Sequence, residues 1–237
     1  MTASSLMSAA GMDKHWNLSY FHEDDAAEPI AAVHICAYSD RADMYLPRAR
    51  RDSDHDPIFD SDDESDDAGL YQDGLEIRSD LPNHWALLLE LRHGQGRGVK
   101  LEMAPSWQAG RPAREGTVLV SSLAAGWRTS ESIVKSLRFD VVPAADVTTV
   151  QQVIENLGHN ARHRYLFTEG GEGSRYWVYT VVRDLEAVDT LQEGDADVAE
   201  EALSMIWSQD RDAVAGRVRR GMFTEWTIRG EKKPGFW

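Results

Sequence analysis

Ser174 follows Glu169-Gly170-Gly171-Glu172-Gly173 and opens the run Arg175-Tyr176-Trp177. A hydroxyl delivered by a tight glycine turn to the start of an apolar element is half of an acyl-transfer site. The other half is a base, and His84 supplies one about 90 residues upstream. It stands in Asn83-His84-Trp85, at the head of the best strand pattern in the chain. A serine and a histidine brought within hydrogen-bonding reach are the minimum kit for nucleophilic catalysis on a carbonyl.

Each piece also has a plainer reading. The glycine turn fails as a phosphate loop, because Ser174-Arg175 stands where Lys-Ser or Lys-Thr is required. It fails as a dinucleotide loop, because a helix and a short linker precede it rather than a βαβ unit. What remains is either a tight connection using positive φ or a nucleophile loop backed by a helix N-terminus. His84 beside Trp85 is equally a packed or surface histidine. His34 alternates with core positions and reads as structural, while His15, His22 and His55 fall in polar stretches. His159 and His163 flank a helix end, where positive charge is mildly favoured. No histidine pair has metal-ligand spacing with a supporting acid, so neither a metal nor a cofactor is expected.

The elements that must position these residues are legible from periodicity. Residues 1–28 read as a loose lead-in, and Pro29 to Ala37 as a first strand carrying His34 and Cys36. His84 to Leu91, Val99 to Met103, Thr117 to Ser122 and Ser136 to Val142 are short apolar runs separated by glycine-containing turns, which predicts a β-meander. Asp146 opens a helix carrying Val147, Val150, Val153, Ile154 and Leu157 on one face, closed by Gly158. Ser174 to Leu185 is strand by propensity, yet Trp177, Val181 and Leu185 recur at helical spacing. Asp197 to Trp207 reads as an amphipathic helix facing the core through Val198, Ala202, Met205 and Ile206. The expected fold is α+β, an antiparallel sheet packed against helices, forming one domain over 29–237.

Charge narrows the partners. The 237 residues carry a formal net charge of −15. Twelve acids and one base lie between Asp52 and Asp80, leaving the remainder nearly balanced. Residues 40–80 therefore read as a disordered acidic insertion. An EF-hand reading lacks its central glycine and terminal glutamate. No basic footprint supports nucleic-acid binding, and no stretch reaches the ~20 apolar residues of a spanning helix. One cysteine, Cys36, excludes an internal disulfide and fits a reducing, cytoplasmic setting. Trp107, Trp127, Arg128, Tyr176 and Trp177 sit near turns or the glycine loop, as pocket walls or as ordinary packing. Arg217-Val218-Arg219-Arg220 is a short basic cluster, read as solvated or as a weak partner for the acidic insertion.

Taken in order, Asn83-His84-Trp85, Val99-Lys100-Leu101-Glu102-Met103-Ala104-Pro105, an apolar helix and the turn ending at Ser174 resemble the permuted papain-like superfamily of lecithin:retinol acyltransferase and NlpC-like proteins. Phe167 to Gly173 and Arg175-Tyr176-Trp177 also resemble a domain family of uncharacterised fungal proteins. The first resemblance implies a catalytic His84, an orienting Glu102, and Ser174 in the place of the usual cysteine. Trp85, Gly171, Gly173, Arg175, Tyr176 and Trp177 would then line the substrate site. The implied activity is acyl transfer or hydrolysis on an amide, ester or thioester of a small molecule or peptide. Serine at that position fits a retuned native nucleophile, a member that only binds, or a replacement of the native cysteine. A non-catalytic binding protein, or a cyclase or isomerase working through the same cleft without covalent chemistry, stays open beside it.

Overall fold

The computed structural model describes residues 13–39, 83–106, 114–142 and 148–224. The expected acidic insertion, Trp107 and the helix start at Asp146 and Val147 lie outside these residues.

Strand patterning gives a six-stranded sheet. Its members are β1 (Trp16–Tyr20), β2 (Ile30–Tyr38), β3 (His84–Leu91), β4 (Gly98–Pro105), β5 (Gly116–Leu123) and β6 (Ile133–Asp140). Their order across the sheet is β1-β5-β4-β3-β2-β6. The meander holds for β3, β4 and β5, but β6 crosses over to pair antiparallel with β2. Spacing reveals strands and says nothing of their partners, so this fourth neighbour was invisible in the sequence.

The sheet is mixed rather than antiparallel, because β1 runs parallel to β5. β1 falls inside the stretch read as a loose lead-in. Three contacts order it: the Val118 amide donates to the His15 carbonyl at 2.8 Å, Trp16 stacks on His163 at 5.4 Å, and Arg164 pairs with Asp13 at 3.1 Å.

Among the described residues, three α-helices pack on one face of the sheet. α1 (Val150–His159) starts at Thr149, whose capping box with Gln152 satisfies two orphan groups. α2 (Ser174–Ala187) resolves the ambiguous segment as helix, because Trp177, Val178, Val181, Val182 and Leu185 all reach the core along one stripe. α3 (Asp195–Leu203) begins and ends earlier than periodicity suggested. Its buried face is Ala196, Ala199, Ala202 and Leu203, while Val198 is 48% exposed. Met205–Ile206 leave the helix as a short strand, β8, paired with β9 (Val214–Ala215). β7 (Tyr165–Leu166) and β10 (Met222–Phe223) form another two-stranded ribbon.

Strand alternation divides the sheet cleanly. Trp85, Leu87 and Leu89 of β3 and Val99, Leu101 and Met103 of β4 join the helices in the main core. Ala86, Leu88 and Cys36 face the other way, against Trp127.

Candidate functional site

The glycine turn is built by hydrogen bonds that fold it back on itself. The Thr168 amide donates to Glu172 O at 3.0 Å, and the Glu172 amide donates to Thr168 Oγ1 at 3.1 Å. Gly171 takes φ of 70° and Gly173 a φ of 148°. At Gly173 a side chain is excluded twice, since a Cβ there would lie 2.7 Å from the Tyr165 hydroxyl. That hydroxyl donates to Gly173 O and accepts from the Gly221 amide, both at 2.9 Å. Tyr165 thereby ties the head of α2 to the chain entering β10, and burial pushes its phenol well above the usual range.

Ser174 is the first residue of α2 and only 3% exposed. The first backbone bond of the helix runs from the Trp177 amide to Gly173 O at 3.0 Å. The amides of Ser174 and Tyr176 therefore precede the ladder and point outward from the helix end. Ser174 borders a small cleft whose walls include, among the described residues, Asn83, Glu172, Gly173, Arg175, Arg217 and Arg219. Arg175 is buried, with Nη1 donating to Leu203 O at 3.2 Å. Arg219 contacts Glu172 at 3.4 Å. Asn83 is committed to structure: its Nδ2 donates to Trp207 O at 2.9 Å, and its Oδ1 accepts from the Trp207 amide at 2.6 Å.

His84 is one residue further along β3, and one residue reverses the face. Opposite it on β2 stands Tyr38, with ring centroids 6.5 Å apart. His84 Nε2 lies 3.1 Å from Glu102 Oε1, an ion-pair contact rather than an aligned hydrogen bond. Glu102 Oε2 meets Lys100 Nζ at 2.6 Å. His84 and Glu102 are almost wholly buried. Burial alone would raise the Glu102 carboxyl, yet the contacts with His84 and Lys100 outweigh it and hold the group down to about 2. Burial pushes the Tyr38 phenol up, with Cys36 and Glu102 adding to the effect.

Of the three residues expected to act together, His84 and Glu102 are in contact. His84 and Glu102 meet on the sheet face shared with Ala86 and Leu88, while Ser174 heads a helix packed against Trp85, Leu87 and Met103 on the other. Of the expected substrate-binding residues, Gly173 and Arg175 line the cleft. Trp85 and Trp177 are fully buried core residues, the Trp177 indole donating to Arg162 O at 2.8 Å. Gly171 shapes the turn, and Tyr176 packs on Phe223 with Arg220 over its ring. Trp127 and Arg128 belong to the second face, where Arg128 and Arg138 pair with Glu90 beside His34. Cys36 is inert there, its thiol raised to about 11 by burial.

Sequence reasoning missed Asn83, Arg217 and Arg219 as cleft residues. A basic cluster inside an acidic chain was the available sign for the two arginines. Asn83 carried none, since its role depends on which face of β3 the helices cover.

Among the described residues no helix is long and apolar enough to cross a membrane, and no cluster of three His, Cys, Asp or Glu could hold a metal ion. Neither curated proteins nor solved structures provide a match to the chain. A family model does, over residues 71–224, a span that takes in β3, the cleft and the three described α-helices. The chain belongs to that family, described as Domain of unknown function (DUF7770).

Proposed function

We propose that this chain is a ligand-binding domain whose cleft at the head of α2 takes a small molecule or peptide, with Ser174 as a hydrogen-bonding group. The observation that carries the reading is the separation of Ser174 from His84 across the sheet. A serine hydroxyl needs a base in contact as it attacks, and among the described residues the cleft walls include no histidine. Kinship with the permuted papain-like superfamily enters as an order of elements: a His-Trp strand, a Glu-Met-Ala-Pro strand and a helix opening at Ser174. Such a domain would have kept that order and lost the catalytic pairing. A reducing, cytoplasmic setting belongs to the same proposal, on the single buried Cys36.

The test is chemical. A Ser174→Cys variant is exposed to an electrophilic acyl probe, with and without His84→Gln. Removing a genuine general base costs about 100-fold or more in rate. The binding reading expects the labelling rate to stay within about twofold. Labelling that collapses on His84→Gln, in protein whose near-UV circular dichroism is unchanged, would restore the acyl-transfer reading. Glu102→Gln provides a second arm should His84→Gln unfold the chain.

One observation favours acid–base chemistry as a second reading. Glu102 is held ionised between His84 and Lys100, an arrangement able to keep an imidazole oriented for proton transfer. A cyclase or isomerase of this kind would keep its turnover in Ser174→Ala and lose it in Glu102→Gln.

A further inference from the structure

We infer that β1 is a pH-gated strand: a latch of His163, Arg164 and Asp13 fastens it to β5 at neutral pH and releases it in mild acid. This device is independent of the cleft at the head of α2. Arg164 Nε donates to His163 Nε2 at 3.2 Å, and Arg164 Nη2 donates to Asp13 Oδ2 at 3.1 Å. Asp13 Oδ1 accepts from the His15 amide at 2.9 Å. His163 is 3% exposed and its ring stacks on Trp16, the first residue of β1. One guanidinium thus ties the chain ahead of β1 to the turn that follows α1.

The hydrogen bonds fix the charge state of the ring. A nitrogen that accepts from Arg164 carries no proton, so His163 is neutral, with its proton on Nδ1 against the Leu157 carbonyl. Protonation makes Nε2 a donor, breaks the Arg164 bond and sets a second positive charge beside a guanidinium. The neighbouring charges are already matched. Lys14 pairs with Glu115 at 3.5 Å, and Asp13, 3.9 Å from His163 Nε2, is engaged by Arg164. The His15 ring lies 6.3 Å away, its Nδ1 donating to Gly116 O at 3.2 Å, and His159 in the last turn of α1 is exposed. Burial is the largest influence on His163 and holds its proton affinity below the ordinary value; Arg164 and His15 act in the same sense, against Asp13 and Leu157 O.

β1 is an element that such a latch can move. It has five residues, lies at the edge of the sheet, and slips register against β5 between Asn17 and Tyr20. Its head is held by the bond from the Val118 amide to His15 O, within the segment that Asp13 and Arg164 fasten. Opening β1 returns His163 to water and to its ordinary value of 6.5. Because the folded value is lower, closure is fully favoured above 6.5 and weakens as pH falls from there toward the folded value. The window lies above the ordinary carboxylate range, so release of β1 precedes general acid unfolding.

The experiment is amide hydrogen exchange on the full chain between about pH 7.5 and pH 5.5, corrected for intrinsic exchange. The Val118 amide reads the opening of β1, and the amides of β3 and β4 read the sheet centre. Uptake of one proton on opening predicts a Val118 opening constant that rises by up to about tenfold per pH unit below 6.5, with β3 and β4 unchanged. His163→Gln keeps an acceptor for Arg164 without the titration and should flatten this dependence. His163→Phe keeps a ring on Trp16 without the acceptor, and should open β1 at neutral pH as well as abolish the dependence. Imidazole nitrogen spectra should show His163 as the Nδ1–H tautomer at pH 7.5. An Nε2–H tautomer overturns the inference, as does Val118 protection that ignores pH or that responds alike in wild type and both variants. Protection lost in step with β3 and β4 is global unfolding and overturns it too. A dependence that survives in His163→Gln and vanishes in His15→Asn places the titration on His15 and refutes the latch.

Discussion

At the scale of single residues, Glu102 is the most informative side chain. It is 1% exposed and shared between His84 and Lys100. Its carboxyl falls from an ordinary value of 4.5 to about 2 in the fold. A depressed folded value means the stabilisation is complete above the unfolded value and disappears as pH falls through the folded one. Urea midpoints should therefore decline between about pH 5 and pH 2, and Glu102→Gln should flatten that limb while lowering stability at neutral pH. A parallel limb in the variant would assign acid sensitivity to other carboxylates. Gly173 is the second informative residue. Gly173→Ala meets a φ of 148° and the Tyr165 hydroxyl at 2.7 Å, so it should cost about 1–3 kcal/mol by thermal or urea unfolding. Gly171→Ala has a positive φ but open space around it and should cost less.

At the scale of elements, the helices show where local sequence prevails and where it yields. Thr149 and Gln152 make a reciprocal cap, and Thr149→Ala should lower stability by about 1 kcal/mol. α2 goes against its own β-branched and aromatic composition, because its apolar stripe meets β3 and β4 from Trp177 to Leu185. Burial at 1.5–3 kcal/mol for each large apolar side chain outweighs propensity differences of tenths. Tyr165→Phe tests how the α2 head is held: it removes the acceptor of the Gly221 amide and should cost about 1–3 kcal/mol. The same variant should speed hydrogen exchange at Gly221, and unchanged exchange there would mean the clamp does not hold that segment.

At the scale of the whole molecule, the sheet, with the described α-helices on one face, separates two chemistries. The helix side holds the main core and the cleft; the other side holds His84, Glu102, Lys100 and Tyr38. This layering predicts unequal mutational costs. Trp177→Ala should lose about 3–5 kcal/mol, whereas Val198→Ala, on the exposed side of α3, should stay within about 0.5 kcal/mol. Comparable losses at both positions would contradict the packing. β1 adds the only parallel pair among the described strands, and its outer edge leaves Tyr20 76% exposed. Native-state hydrogen exchange should be fastest in β1 and slowest in β3 and β4 at the sheet centre.

Much of this was legible from local pattern. Alternation and turn glycines marked β3, β4 and β5, and the stripe from Val150 to Leu157 marked α1. The Ser174 turn announced itself by its glycines, and its helix start follows from the spacing of Trp177, Val181 and Leu185. These are properties of neighbours along the chain, so the amino-acid order alone determined them. Partner choice was different. The parallel docking of β1 and the crossing of β6 to β2 join residues about 100 positions apart, and no local pattern encodes them. Above all, the face of β3 was open. Leu87, Leu88 and Leu89 are apolar on both sides of the strand, so alternation could not say whether Asn83 or His84 looks toward Ser174. Only the packing of α2 onto Trp85 and Leu87 decided it, turning Asn83 toward the cleft and His84 toward Glu102.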